Sequence, residues 1–499
     1  MSTENSLSWT FYGLAEDPYG EYADPTRYSF SPGDSVEGHL TLSGGALAAY
    51  LASLDSAGLG SVVLNAESGV SLYLDMPRVG GLYETDIQPW SAPQLTLTSQ
   101  GKDAPLENLS VFLFSQNAPD GPNFVINQIE TDGVYALDDD DAQLHINGVW
   151  IPDHLAVERS VGGDGADALV GGDGLALLFG RGGGDSLLLR AAGYAWGVVG
   201  EDQLVGSSGR DWLYGGYDND VIKGGAGDDQ LFGGGGADHV SGGSGNEVIY
   251  GDSNRQPGGN DVLSGNAGDD RLYGGWGNDI LRGGEGADYL DGGLGEDAAD
   301  YGAATSGVRA QLGLLSALVD DSEADGDVLI GIEHLSGSDH ADTLRGDGGD
   351  NRLVGRDGDD YLYGGAGADR LYGGDGNDVL NGGIAAGGVA DGRDLLTGGA
   401  GSDRFEFTMD LRLSGAGDDA QDYARQSFGL DSVLDFNPQE DLLVFVGQRS
   451  SFDSLRIADY QSSAGNSGTL ITLDSQSRVF VLGVVADQLS DANMHFVGA

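Results

Sequence analysis

Eighteen aspartates recur at the sixth place of a nine-residue repeat, and carboxylates at so fixed a spacing can hold metal ions or handle protons. They are Asp167, Asp185, Asp202, Asp211, Asp220, Asp229, Asp238, Asp261, Asp270, Asp279, Asp288, Asp297, Asp342, Asp360, Asp369, Asp378, Asp394 and Asp403. Each follows a glycine-rich turn, and a further side chain, most often large and apolar, stands two places after it. Residues 224–251 show the pattern: GGAGDDQLFGGGGADHVSGGSGNEVIYG. Written G-G-x-G-x-D-x-U-x, with U apolar, twenty-one units are readable between residues 162 and 406. Only Ala176, Glu247 and Asn351 break the sixth position. The register slips at 189–196, resumes at 197, and restarts at 256 after a five-residue insertion. A second block runs from 337 to 381, and two units after a further inserted loop close the array.

These carboxylates need elements to position them. Nine residues are enough for one short strand and one tight turn. The strand x-U-x sends its apolar residue inward: Leu213, Ile222, Leu231, Val240 and Ile249 in successive units. The turn needs positive φ, which glycine adopts cheaply. Two units then make one coil, and coils stack as parallel strands about 4.8 Å apart. Turns two units apart lie side by side, with Asp211 beside Asp229, Asp220 beside Asp238, Asp270 beside Asp288, and Asp360 beside Asp378. Such rows repel one another, and one modest core residue per unit does not offset that repulsion and the ordering of so much glycine. A divalent cation removes the difficulty. Ca²⁺ takes six to eight oxygens from carboxylates and backbone carbonyls, and adjacent turns supply both. Mg²⁺ fits less well because it demands octahedral geometry and dehydrates reluctantly. The chain has no cysteine, and the repeat has no histidine cluster, so the ligands of a structural zinc are missing.

The remaining chain is organised around this array. Residues 1–160 have ordinary composition and strand-like alternation, as at 35–43, 70–76, 93–99, 109–115, 123–129 and 144–151. Turn signals separate these runs, which predicts an antiparallel β-sandwich, with one short helix in SGGALAAYLASLDS. Residues 161–300 form the first block, 301–336 an irregular connecting coil with two strands, and 337–406 the second block. Residues 407–499 are strand-rich and read as the terminal cap a solenoid requires. The fold class predicted is therefore all-β: a sandwich, a parallel β-roll and a β-rich cap. The formal net charge of −57 disfavours nucleic acid and anionic membranes as partners. The N-terminus shows no basic and apolar leader, and no run has the length of a transmembrane helix.

The nonapeptide resembles that of the RTX (repeats-in-toxin) proteins over residues 162–406. The stretch from Asp297 to Tyr301, the runs VRAQL and DVLIGIEHLSGS, and the tail DSVLDFNPQEDLLVF are similar to RTX segments as well. The resemblance implies a parallel β-roll with several Ca²⁺ ions at its turns. It also implies export from a Gram-negative bacterium by type I secretion machinery, guided by an uncleaved C-terminal signal. On that reading the array is disordered at low cytosolic Ca²⁺ and folds outside. Ala176 and the slip at 189–196 would weaken the first sites, while Glu247 and Asn351 keep an oxygen but change its reach or charge.

RTX proteins often carry a catalytic domain, so residues 1–160 need testing for one. No pair of histidines has the H-E-x-x-H spacing, and no serine sits in G-x-S-x-G. The acids at 138–141, with Glu130 and Asp132, have the types needed for a glycosidase pair, but a solvated or calcium-binding loop explains them more simply. His145 and His154 lie near these acids and are weak metal candidates. Trp9, Phe11, Tyr12, Tyr19, Tyr22 and Tyr28 have the rings to stack on sugars, though packing is the commoner use. Two readings follow. The favoured one is a secreted calcium-binding protein acting in extracellular binding, adhesion or matrix, whose N-terminal module meets a glycan or surface ligand. The other is a secreted hydrolase with a catalytic site of unfamiliar form.

Overall fold

In the computed structural model, side chains are described over residues 156–252, 258–313, 324–383, 392–407, 431–446, 455–461, 466–472, 478–490 and 492–497, and before residue 156 the strands are described as backbone. All described secondary structure is β except one 3₁₀ turn, Ala486–Gln488. The chain packs as two units. One comprises Met1–Ser208, Trp212–Val221 and Asn254–Gln256, and the other Gly209–Asp211, Ile222–Ser253 and Pro257–Ala499.

The first unit opens with antiparallel strands. A seven-stranded sheet runs in the order 83–86, 70–76, 35–43, 6–16, 143–152, 133–137, 125–130, and a three-stranded sheet joins 59–65, 94–100 and 106–111. Leu40 faces Leu72 across one ladder and Trp9 across the next. Of the helix expected at 43–56, Ser43 ends a strand and 44–56 lie outside the described residues, as do the acids at 138–141, Asp132, His154, Tyr19, Tyr22 and Tyr28.

Strands then turn parallel. Ala176–Gly182, Gly193–Val199 and Trp212–Tyr217 stack in register, with Leu178, Ala195 and Leu213 forming one inward row. The register slip does not interrupt this ladder. The odd segment becomes a full strand, because Ala195 supplies the inward residue and its neighbours bring aromatic rings. Trp196 stacks between Phe179 (4.6 Å) and Tyr214 (5.5 Å), and Tyr194 stacks on Trp212 at 4.7 Å. Area buried by aromatic stacking takes the place of the regular turn here.

In the second unit, three inward rows carry the core. One runs from Leu231 through Ile249, Leu272 and Leu290 to Leu329. A second runs from Val240 through Leu281, Leu335 and Leu371 to Val481. A third runs from Ala310 through Leu344, Leu362 and Phe405 to Met494. None of these side chains is more than 6% exposed. One apolar residue per nine suffices because each is covered above and below by its equivalents in the neighbouring coils.

Among the described residues of the connecting segment 301–336 there are three strands, one at VRAQL and two within DVLIGIEHL: Arg309–Gln311, Val328–Ile330 and His334–Ser336. The last two continue the existing sheets, while the first opens the third sheet by pairing with Thr343–Arg345. Parallel stacking also continues past the repeat. Leu430–Val433 and Leu442–Val446 add to the two sheets, and Arg478–Leu482 and Met494–Val497 add again. Strand 467–472 then pairs antiparallel onto 478–482, and 456–461 pairs antiparallel onto 467–472. That reversal ends a ladder whose open edge would otherwise template further strands.

Candidate metal centre

Most turns use glycine at positive φ, and at many of these the coils approach too closely for a side chain. Gly243 has φ +126°, and a Cβ there would strike the Gly225 carbonyl oxygen. The sixth-position acid follows this turn and points inward. Asp229, Asp261, Asp270, Asp288, Asp360 and Asp378 are each 1% exposed or less. One carboxylate oxygen is used the same way throughout. Asp229 Oδ1 accepts the Asp211 N–H at 2.8 Å, Asp288 Oδ1 accepts that of Asp270 at 2.9 Å, and Asp378 Oδ1 accepts that of Asp360 at 2.9 Å. The acids of successive coils are thus linked in a chain of side chain to backbone contacts. Asp185 and Asp202 keep the link at 2.7 Å across the shortened coil.

The other oxygen has no such use. Oδ2 of Asp185, Asp202, Asp229, Asp261, Asp270, Asp279, Asp288, Asp297, Asp360, Asp369, Asp378 and Asp394 is buried without a hydrogen-bond partner. At all of these but Asp288 and Asp394, a carbonyl of a neighbouring coil lies against the same glycine as the Oδ2 atom. A Cβ on Gly224 would stand 2.5 Å from Asp229 Oδ2 and 2.7 Å from the Gly242 carbonyl oxygen. The same pairing recurs at Gly265, with Asp270 Oδ2 and the Gly283 carbonyl, and at Gly373, with Asp378 Oδ2 and the Gly398 carbonyl. Buried polar atoms are rarely left orphaned, and a row of them in register with carbonyls is the kind of oxygen donor set that a hard cation takes. Among the described residues, no three acidic or histidine side chains converge on a point, so carbonyls must complete any such cage.

The electrostatics agree. Burial pushes Asp261, Asp288 and Asp360 up to about 8, and the charges that act on them are all acids. Asp202, Asp229, Asp279, Asp369 and Asp378 rise to about 7, again chiefly by desolvation. Ionised carboxylates in this setting require a positive charge that the described side chains do not supply to most of them.

The model of the RTX calcium-binding nonapeptide repeat, four copies long, matches residues 196–231, 224–255, 258–290, 277–299, 336–371, 354–386 and 390–407. The chain is an RTX-repeat protein. Its repeats are of the calcium-binding type, and the parallel ladders are the β-roll that this type builds. No curated protein matches the RTX chain. The crystal structure of extracellular lipase LipA from Serratia marcescens is 20% identical to it, covering 51% of this chain and 40% of that one, with a TM-score of 0.17. A superposition that loose carries no argument. Among the described residues, no helix is long and apolar enough to cross a membrane.

The RTX ladder also recruits acids outside the nonapeptide frame. Asp327 Oδ1 accepts the Asp288 N–H at 2.8 Å, and Glu333 Oε2 accepts that of Asp297 at 2.8 Å. Asp431 and Asp441 do the same for Asp394 and Asp403, at 3.3 and 3.0 Å. The signal was present in the sequence. Each precedes an inward apolar residue by two: Leu329, Leu335, Val433 and Leu443. Some acids find protein donors for the second oxygen. Tyr301 donates its hydroxyl to Asp327 Oδ2 at 2.9 Å, and Ser338 N–H donates to Asp342 Oδ2 at 2.6 Å. Asp167 Oδ2 accepts the Gly163 N–H at 2.6 Å. Asn351 is occupied similarly, accepting from Asp347 N–H and donating to the Glu333 carbonyl. Ala176 offers nothing, and Glu247 places its longer carboxyl against Gly242 and beside Asp270.

Proposed function

We propose that the array is a calcium-driven folding unit, and that several Ca²⁺ ions sit between adjacent turns. The residues that hold them are the sixth-position acids with orphaned Oδ2 atoms, together with carbonyls of the neighbouring coil. The observation that carries this reading is the row of twelve buried, unpartnered carboxylate oxygens in register. The cation supplies positive charge and oxygen coordination. The chain supplies everything else: glycine turns let coils approach, Oδ1 links fix each carboxyl, and the apolar rows align the coils.

Calcium binding is then inseparable from folding, as in other metal-dependent domains. This suits a protein that must cross an envelope unfolded and fold outside, where Ca²⁺ is plentiful. We read it as secreted from a Gram-negative bacterium by type I machinery, with residues 430–499 carrying the export information. The two antiparallel sheets before residue 156 form the sandwich that the array displays, and the role is extracellular binding, adhesion or matrix formation. The test is equilibrium binding on the full chain: several Ca²⁺ per molecule, with a β signal rising in step with occupancy. A stoichiometry near zero, or a β signal unmoved by Ca²⁺, overturns it. Deletion of 430–499 is expected to abolish export, and unimpaired secretion would remove that part of the reading.

A further inference from the structure

Away from the turns, one outer face of the second block carries a row of basic side chains. Leu335, Leu353 and Leu371 point into the core from strands His334–Ser336, Arg352–Asp357 and Arg370–Asp375. Alternation along a strand turns the residues on either side of each leucine outward. The residues just before them are His334, Arg352 and Arg370, and parallel register sets these side by side. Ala298 ends the row on one side and Leu395 on the other. Neighbouring strands lie about 4.8 Å apart, so two exposed guanidinium groups rise from adjacent rungs. Among the described rows of the roll, this one alone has basic residues on three consecutive strands.

Other arginines of these coils have carboxylate partners. Arg282 and Arg356 both pair with Asp300, and Arg404 pairs with Glu406. Among the described residues, no carboxylate pairs with Arg352 or Arg370. Arg352 stands over the Tyr372 ring, 5.2 Å from its centroid, which fixes the place of its guanidinium. His334 Nδ1 accepts the Arg352 N–H at 3.2 Å, so the neutral ring keeps its proton on Nε2. Glu296 Oε2 lies 3.8 Å from that nitrogen and is the one acid at the row's edge. Like charges facing each other across neighbouring strands destabilise a sheet. In a chain of net charge −57, two arginines side by side with no carboxylate are placed for an anion from outside.

We propose that the His334–Arg352–Arg370 row binds an acidic polysaccharide, whose carboxylate or sulfate groups are taken by the two guanidiniums. This gives the extracellular binding role above a partner and places it on the array itself. A guanidinium matches such oxyanions with two parallel hydrogen bonds. Tyr372 and Thr397 carry hydroxyls one row across on the same face, within the reach of sugar hydroxyls. Charge density selects this partner over nucleic acid. A duplex carries one charge per about 1.7 Å and is held by many cations, whereas the row offers two on a strongly anionic chain. Repulsion from the rest of the chain is screened beyond about 8 Å at physiological salt, which leaves a local contact to a sparsely charged polymer favourable.

The test uses the full chain in saturating Ca²⁺, with lightly substituted, labelled dextran sulfate as the probe and uncharged dextran as its control. Binding is read by fluorescence anisotropy and folding by circular dichroism. The native protein is expected to bind dextran sulfate, ignore dextran, and bind more weakly as salt rises. R370Q should weaken binding about fivefold, and the R352Q, R370Q double variant further, both with the native β signal. K223Q removes an equal charge from an exposed position elsewhere on the array and should leave binding unchanged. Should the double variant lose its β signal, R370Q alone decides. A native protein with its β signal in place that ignores dextran sulfate overturns the proposal. So does a double variant that binds like the native, because Ca²⁺ at the turns then bridges polymer and protein. A loss in K223Q equal to that in R370Q, or tighter binding of duplex DNA than of dextran sulfate, overturns it as well. The calcium reading stands or falls separately, on the β signal.

Discussion

Removing calcium at two pH values tests the electrostatic basis of the fold. In the cation-free array, burial raises Asp229 from 3.8 to about 7. A carboxyl raised in the folded state favours folding while protonated. Its stabilisation is complete below the unfolded value near 3.8 and is lost as pH rises through about 7. Above that, keeping Asp229 ionised and buried costs at most about 4 kcal/mol, and less to the extent that solvent screens the charge. Asp202 and Asp378 are raised to about 7 as well. Even a fraction of that penalty from each of several such residues weighs heavily against the net stability of an ordinary domain, about 5–15 kcal/mol. The chelated protein at pH 8 is therefore expected to lose the β signal of the array. Each pH unit of acidification between about 7 and 4 relieves about 1.4 kcal/mol per carboxyl, so the chelated protein should regain β structure on the way down. A further consequence separates coupled folding from a preformed array. Unfolded carboxyls are already ionised at pH 6, so the Ca²⁺ midpoint should be flat between pH 6 and 8. A preformed, protonated array would release protons and show a sloping midpoint. The assay is far-UV circular dichroism of the full chain with chelator or Ca²⁺ across pH 4–8. Full β signal in chelator at pH 8, or a loss of it on acidification, would refute the reasoning.

Three substitutions probe the other contributions. Leu272→Ala empties an inward position that is fully buried, and is expected to cost about 2–5 kcal/mol, read as a lower unfolding midpoint at saturating Ca²⁺. Gly243→Ala forces a Cβ onto the Gly225 carbonyl at φ +126° and should raise the Ca²⁺ midpoint of folding, whereas Gly348→Ala, which meets nothing within 4 Å, should leave it unchanged. Tyr301→Phe strips the donor from buried Asp327 Oδ2 and should destabilise the array by about 1–3 kcal/mol, read as a lower urea midpoint at saturating Ca²⁺.

The roll and its chemistry were legible because one short rule is repeated. Glycine pairs mark the turns, the acid marks the inward carboxyl, and the residue two places later marks the core. Leu231, Ile249, Leu272 and Leu290 all fall where that rule puts them. The links Asp211 to Asp229, Asp270 to Asp288, and Asp360 to Asp378 follow from the eighteen-residue coil alone. Periodic stacking turns local sequence into distant neighbours without further information.

The rest depended on which coils meet. Asp327, Glu333, Asp431 and Asp441 lie outside the frame, and their ladder contacts span 36–39 residues, a separation that insertions set and periodicity does not reveal. The slip at 189–196 looked like a break, and only the stack of Phe179, Trp196 and Tyr214 makes it a rung. Whether an acid needs a cation was also invisible. Asp342 and Asp360 both hold the sixth place of a unit, yet Ser338 reaches the second oxygen of the first and nothing reaches that of the other. The sequence by itself determined the repeat, the turn chemistry and the row of acids, because these are local and recur every nine residues. The tertiary structure decided which carboxyl oxygens remain unpartnered, because that depends on donors brought from elsewhere in the chain.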